Sequence, residues 1–340
     1  MGLKMAGKSS ASNEYTKQYY PEGALSRTHE NRMNLGSRKA FEDAAARGYI
    51  MESTCLMCDC TTMQLSVDLP DGIRGIIPRS EACYVPGAAD GGDTKDIAII
   101  TRVGKAIQFK VADMYTTDSG ETVAVLSRRL AQRECYLNYI SALIPGDIIP
   151  ARVTHLEPFG AFCDIGCGII SLLTVDKISV SRISHPADRF RPGEYINAVV
   201  MSRDNSGRIY LSHRELLGTW EENAASFSPG QTVTGIIRSV EDYGIFVELS
   251  PNLAGLAELS DGAIPGACCS VYIKSIIPER MKIKLVLIDT CGTAEVTPCK
   301  YFIDTDTTSH IDSWRYSPLM CRKTVETEFE HIVSPIAELS

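Results

Sequence analysis

From Ile50 onward the apolar positions fall in short runs broken by turn residues, not in long amphipathic stretches. IMESTCLMCDC, MQLSVDLP, GIRGIIPRS, DIAIITRV, AIQFKVADMY and TVAVLSRR each read as a strand, with Asp71-Gly72, Gly91-Gly92 and Ser119-Gly120 as turn signals. Several short strands without a long helix between them predict a small closed barrel. Ser37 is placed as the N-cap of a short helix, RKAFEDAAARG, that ends near Gly48. Residues 127–144 (SRRLAQRECYLNYISALI) predict a helix leading to a second β unit. Residues 215–227 (ELLGTWEENAASF) predict another, closed by Ser228-Pro229-Gly230, that leads to a third. KYFIDT and HIDSWRYSP are expected as strands on the third unit, and the acidic end, VETEFEHIVSPIAELS, as a mobile tail.

The expected architecture is mainly β: tandem five-stranded barrels joined by short helical linkers. Residues 1–36, polar and aperiodic, are expected to be disordered. Residues 37–130 form a first β unit with a leading helix, 145–214 a second and 229–289 a third. Residues 290–340 form a partly disordered extension. The second and third units repeat one pattern. PGDIIPARVTHLEPFGAFCDI begins at Pro145 and PGQTVTGIIRSVEDYGIFVEL at Pro229, 84 residues on, so that Tyr243 answers Phe159.

Lys and Arg total 34 against 42 Asp and Glu, a net charge of −8, which argues against coating duplex DNA by bulk positive charge. A single strand needs only a local basic stripe, so nucleic acid remains open. No apolar run approaches the roughly 18 residues needed to span a bilayer, and the N-terminal stretch lacks the apolar segment of a secretory signal. The expectation is a cytoplasmic monomer with no membrane contact. The 12 cysteines have no paired spacing and read as reduced, mostly buried thiols.

The chemistry is concentrated in Phe159-Gly160-Ala161-Phe162, repeated as Tyr243-Gly244-Ile245-Phe246. On an ideal strand Phe159, Ala161 and Cys163 share one face and Phe162 takes the other. A glycine between the rings permits a bulge that would turn both to one surface. The bland alternative is that the aromatics fill barrel cores. Rings on a groove suit single strands, because every base offers a π-face, at roughly 1–3 kcal/mol per stacked base.

With Arg191-Pro192-Gly193-Glu194, Asp204 and Gly207-Arg208-Ile209-Tyr210-Leu211-Ser212 following in order, residues 145–214 resemble the S1 RNA-binding domain. This is the OB-type five-stranded barrel repeated in bacterial ribosomal protein S1, here of the short Firmicutes or Clostridia kind. The third unit resembles it as far as Leu259-Ser260. The first resembles a degenerate copy whose aromatic positions fall on Met63 and Ser66, which implies a docking or structural role.

The family's RNA face has two aromatics, a histidine, an aspartate and an arginine. Carried across, the resemblance implies RNA contacts at Phe159, Phe162, Asp204 and Arg208, with Thr174 at the histidine position. In the third unit it implies Tyr243 and Phe246, with Glu258 at the histidine position and Pro278 and Met281 or Lys282 near the Asp and Arg positions. Arg152, Arg203 and Arg214 are expected to add phosphate contacts. The implied function is binding of single-stranded RNA or mRNA with the 30S subunit as partner. The alternative is a regulator or RNA-processing accessory off the ribosome.

No enzyme is expected. Neither GxxxxGK[ST] nor GxGxxG occurs, and His155, His185 and His213 form no triad order. Cys55-Leu-Met-Cys58-Asp-Cys60 is half of a zinc pattern with no second pair, so neither metal nor cofactor is expected. Glu221-Glu222 reads as a solvated helix face and Trp220 as a packing anchor.

Overall fold

The computed structural model describes residues 19–70, 72–85, 95–293 and 299–329. The expected turn at Gly91-Gly92, residues 1–18 and the last part of the acidic tail lie outside the described residues.

Helices α1 (His29–Asn34) and α2 (Arg38–Ala46) precede the first barrel. Ser37 caps α2 as expected, its Oγ accepting the Ala40 N–H at 3.2 Å. The barrel comprises β1 (Met51–Asp59), β2 (Gln64–Val67), β3 (Ile73–Ile77), β4 (Ala106–Thr116) and β5 (Thr122–Ser127), closed in the order β1-β2-β3-β5-β4. The β3·β5 pair is parallel and the other pairs are antiparallel.

DIAIITRV, expected as a strand, instead supplies the one-turn helix α3 (Asp96–Ile100). Its isoleucines are not equivalent: Ile99 is buried, while Ile97 and Ile100 are exposed. With β3 already paired to β5 and β4 to β1, the barrel is closed without this segment.

Helix α4 (Arg128–Asn138) and a 3-10 turn at Ile140–Ala142 take the place of the longer predicted helix. The second barrel follows with β6 (Ile148–Glu157), β7 (Gly160–Asp164), β8 (Ile170–Thr174), β9 (Tyr195–Arg203) and β10 (Ile209–Ser212), wound in the same way. The predicted helix over 215–227 breaks at Gly218, whose φ of 81° ends a 3-10 turn. Thr219 then caps α5 (Trp220–Ala224). Trp220 is buried in the third core. The third barrel has β11 (Thr232–Glu241), β12 (Gly244–Ser250), β13 (Leu253–Ala257), β14 (Ala267–Ile277) and β15 (Lys282–Thr293), again in that order. Each barrel has its own apolar core, and all 12 cysteines are free thiols.

Residues 19–36 are ordered, contrary to the expectation from composition. Tyr19 is buried and stacks on Tyr139, ring centroids 6.2 Å apart. Glu22 is buried between the first two barrels. Arg128 Nε donates to Glu22 Oε1 at 2.7 Å, and the Glu22 N–H donates to Asp164 Oδ2 at 2.7 Å. Local composition does not reveal these contacts, because each partner lies more than 100 residues away. Asp164 Oδ1 accepts the Gly166 and Gly168 N–H groups, which ties the second barrel to the same strap.

The second and third barrels meet through Glu248, which pairs with Arg189 at 2.5 Å and with Arg238 at 2.8 Å. Asn252 adds further contacts, its Oδ1 accepting the Val180 N–H and its Nδ2 donating to the carbonyls of Arg214 and Gly218.

The extension is placed differently from its prediction. KYFIDT is not a strand, and Tyr301 and Ile303 pack on the second barrel with Ile148, Val199 and Leu216. HIDSWRYSP pairs in two short pieces: His310 bridges Asp147, and β16 (Ser313–Arg315) pairs with β17 (Glu326–Glu328). The first part of the supposedly mobile acidic tail is therefore structured. Trp314 and Tyr316 join the third core, so the extension spans both barrels.

Candidate nucleic-acid interface

All three barrels break register at the same place in their first strand: between Cys55 and Met57, between Val153 and His155, and between Ile237 and Ser239. Beyond this bulge the cross-strand neighbours line up. In the second barrel the row runs His155, Phe162, Leu172, Tyr210, Ser202. In the third it runs Ser239, Phe246, Leu256, Lys284, Ser275. In the first it runs Met57, Ser66, Ile76, Val125, Asp113. Side chains alternate faces along a strand. The fully buried Ala161 and Cys163 of β7 point inward, and the row containing Phe162 points out.

The aromatics are therefore outside the core. Phe159, in the turn before β7, is 55% exposed, and its ring meets that of Phe162 edge to face at 5.9 Å and 89°. Tyr243, 68% exposed, meets Phe246 in the same way at 6.0 Å and 89°. The rings share a surface because the first of each pair sits in the turn. The glycine serves a different end from the expected bulge. A Cβ on Gly160 would lie 2.5 Å from the Leu173 carbonyl oxygen, and one on Gly244 2.6 Å from that of Ala257. Each glycine lets the next strand approach.

The sequence reasoning missed His155. Its ring lies nearly parallel to Phe162, centroids 6.4 Å apart and planes at 21°, and its Nε2 is 2.7 Å from Glu157 Oε1. Tyr210 was also missed as a member of the row. The β6 bulge is what sets His155 opposite Phe162, whereas Tyr210 joins the row through β8.

Thr174 ends β8, and its hydroxyl donates to Asp176 at 2.6 Å. Glu258 is exposed just past β13. Asp204 organises the β9–β10 turn: its Oδ1 accepts the Ser206 hydroxyl at 2.7 Å and the N–H groups of Ser206 and Arg208, each at 2.9 Å. The Ser206 hydroxyl, then the Arg208 N–H, hold this carboxyl below the usual range. The Arg208 side chain stands exposed at the end of that turn. In the third barrel the corresponding turn is Pro278–Arg280, where Arg280 is exposed.

The three supporting arginines do not face solvent as expected. Arg152 donates to the Glu22 carbonyl at 3.0 Å and packs on Tyr195. Arg203 donates to the carbonyls of Ile140 and Leu143 at 2.6 and 3.1 Å. Arg214 is held by Glu215 and Thr327 over Trp314. Sequence alone does not separate an arginine spent on structure from one free to meet phosphate. In the first barrel Ser66 occupies the register position of Phe162, and Met63 is half-buried against the core. That face carries no ring in its row.

Three barrels of one winding, two with an outward ring pair on the second strand, define a tandem OB-barrel protein. Residues 143–214 match the S1 RNA binding domain family. Over 57–68% of its length the chain is homologous to bacterial small ribosomal subunit protein bS1. It is 30% identical over 235 residues to the bS1 of Leuconostoc lactis, covering 68% of this chain and 52% of that one. It is 32% identical over 205 residues to the bS1 homolog of Bacillus subtilis, covering 58% and 49%. It is 26% identical over 197 residues to the bS1 of Chlamydia muridarum, covering 57% and 33%. The chain thus spans about half the length, or less, of these relatives.

Proposed function

We propose that this chain binds single-stranded RNA, mRNA included, as a non-enzymatic protein associated with the small ribosomal subunit in translation. The outward ring pair of the second barrel carries the reading, because rings that take no part in the core are free to stack on bases. Phe159 and Phe162 supply the platform, Arg208 a phosphate contact and Asp204 the turn that presents it. Thr174 borders the site. In the third barrel Tyr243 and Phe246 repeat the platform, with Glu258 at its edge, an acidic group that disfavours phosphate. The second barrel is the stronger contact.

Two rings stacking at roughly 1–3 kcal/mol per base give only modest affinity for one barrel. Linked barrels on one strand add affinity through effective concentration. The homology to bS1 supports the ribosome as partner. Among the described residues no helix is long and apolar enough to cross a membrane.

Sucrose-gradient sedimentation tests the partner: the protein is expected in the 30S and polysome fractions. Its absence there, with RNA binding retained, would instead support a regulator or processing factor acting off the ribosome.

A further inference from the structure

The outward surface of the second barrel does not end at its ring platform. Two residues from Leu172 and Tyr210 on the same face stand Ile170, 43% exposed, and Arg208. Beyond them opens a cleft of about 330 Å³ between the first and second barrels. Its far wall belongs to the first barrel and the linking helix. Tyr84 and Tyr136 meet there, ring centroids 5.8 Å apart and planes at 54°.

The wall is fixed in place. The Tyr84 N–H donates to Gln132 Oε1 at 2.9 Å, and Gln132 Nε2 donates to the Cys167 carbonyl of the second barrel at 3.0 Å. The volume lies within the usual range for small-ligand sites, and the lining combines apolar surface, two phenols and a cation. The exposed Arg208 guanidinium stands at the rim, its charge acting on the nearby Asp204.

We propose that this cleft receives one nucleotide of the RNA strand that crosses the platform, its base against Tyr84 and Tyr136 and its phosphate toward Arg208. The inference rests on the RNA-binding reading above and extends it to the first barrel, which has Ser66 rather than a ring at the position of Phe162. The first barrel would then contribute to recognition through its junction. The strap around Glu22 holds the two walls together.

The test uses the full chain and labelled oligouridylates of about four and about ten nucleotides, lengths within the span one OB barrel covers. Tyr84→Ala removes one ring. Val85→Glu, at an exposed residue of the cleft, adds a negative charge without touching a core. Both variants are expected to bind the longer oligomer about tenfold more weakly, the loss of one stacked base, and the shorter one as the wild type does. Wild-type affinity of both variants for the longer oligomer would overturn the cleft assignment. If Phe159→Ala/Phe162→Ala still loses binding in that case, the platform reading stands. If the double variant binds like the wild type, the platform reading falls and takes the cleft with it.

Discussion

His155 lies face to face with Phe162 across the β6–β7 ladder, at 6.4 Å and 21° between planes. Phe159 meets Phe162 edge to face. The second barrel thus sets a histidine ring against Phe162, where the third has Ser239 at the matching position. His155→Ala is expected to weaken binding of unstructured RNA by about 1 kcal/mol, the low end for one stacking group. Ser239→Ala in the third barrel is expected to change nothing. Fluorescence anisotropy on the two variants checks the difference, and equal effects would remove His155 from the platform.

Glu22 and Arg128 form a buried pair, whereas Arg38 and Glu42 form an exposed one. Removing one partner of a buried pair strands a charge and typically costs about 3–5 kcal/mol, whereas an exposed pair contributes about 0–1 kcal/mol. Glu22→Gln should therefore lower the urea midpoint strongly, and Glu42→Gln should barely move it. Limited proteolysis of Glu22→Gln should also cut the strap at residues 19–28 first.

His213 is fully buried between Phe190 and Tyr301, with Nδ1 donating to the Ile178 carbonyl at 3.2 Å and Nε2 3.3 Å from the Tyr301 hydroxyl. Burial, helped by the nearby Arg189 charge, pushes its pKa down from 6.5 to about 4 against the raising effect of the Ile178 hydrogen bond. The unfolded chain binds this proton more readily than the folded one. The neutral ring's contribution is thus fully present above about pH 6.5 and is lost as pH falls toward 4, at a cost of roughly 3 kcal/mol. Thermal unfolding at pH 7.5 and 5 should show this loss, and His213→Gln should flatten that part of the pH dependence. An unchanged slope in His213→Gln would assign the acid sensitivity to other groups.

The repeat at 84 residues, the barrel class and the ring pairs were legible in the sequence because they rest on local periodicity and spacing. The missing ring of the first barrel was legible too: Ser66 stands at the position that Phe162 takes in the second. What escaped depends on contacts distant in sequence. Residues 19–36 looked disordered because the partners of Tyr19 and Glu22 lie more than 100 residues away. DIAIITRV looked like a strand because its branched apolar residues suit one, and only the closed barrel leaves it as a helical turn. Arg152, Arg203 and Arg214 looked available because sequence does not show which carbonyls and carboxylates surround them. His155 escaped because the bulge in β6 shifts its register by one residue, and no local signal in VTHLE marks that bulge.

The most direct measurement is an anisotropy titration of an unstructured RNA oligomer with the wild type and with Phe159→Ala/Phe162→Ala, alongside far-UV circular dichroism of both. Neither ring belongs to a barrel core, so the double variant should keep its fold. It should lose roughly 2–6 kcal/mol of binding, at one base per ring. A folded double variant that binds RNA as tightly as the wild type would contradict the account.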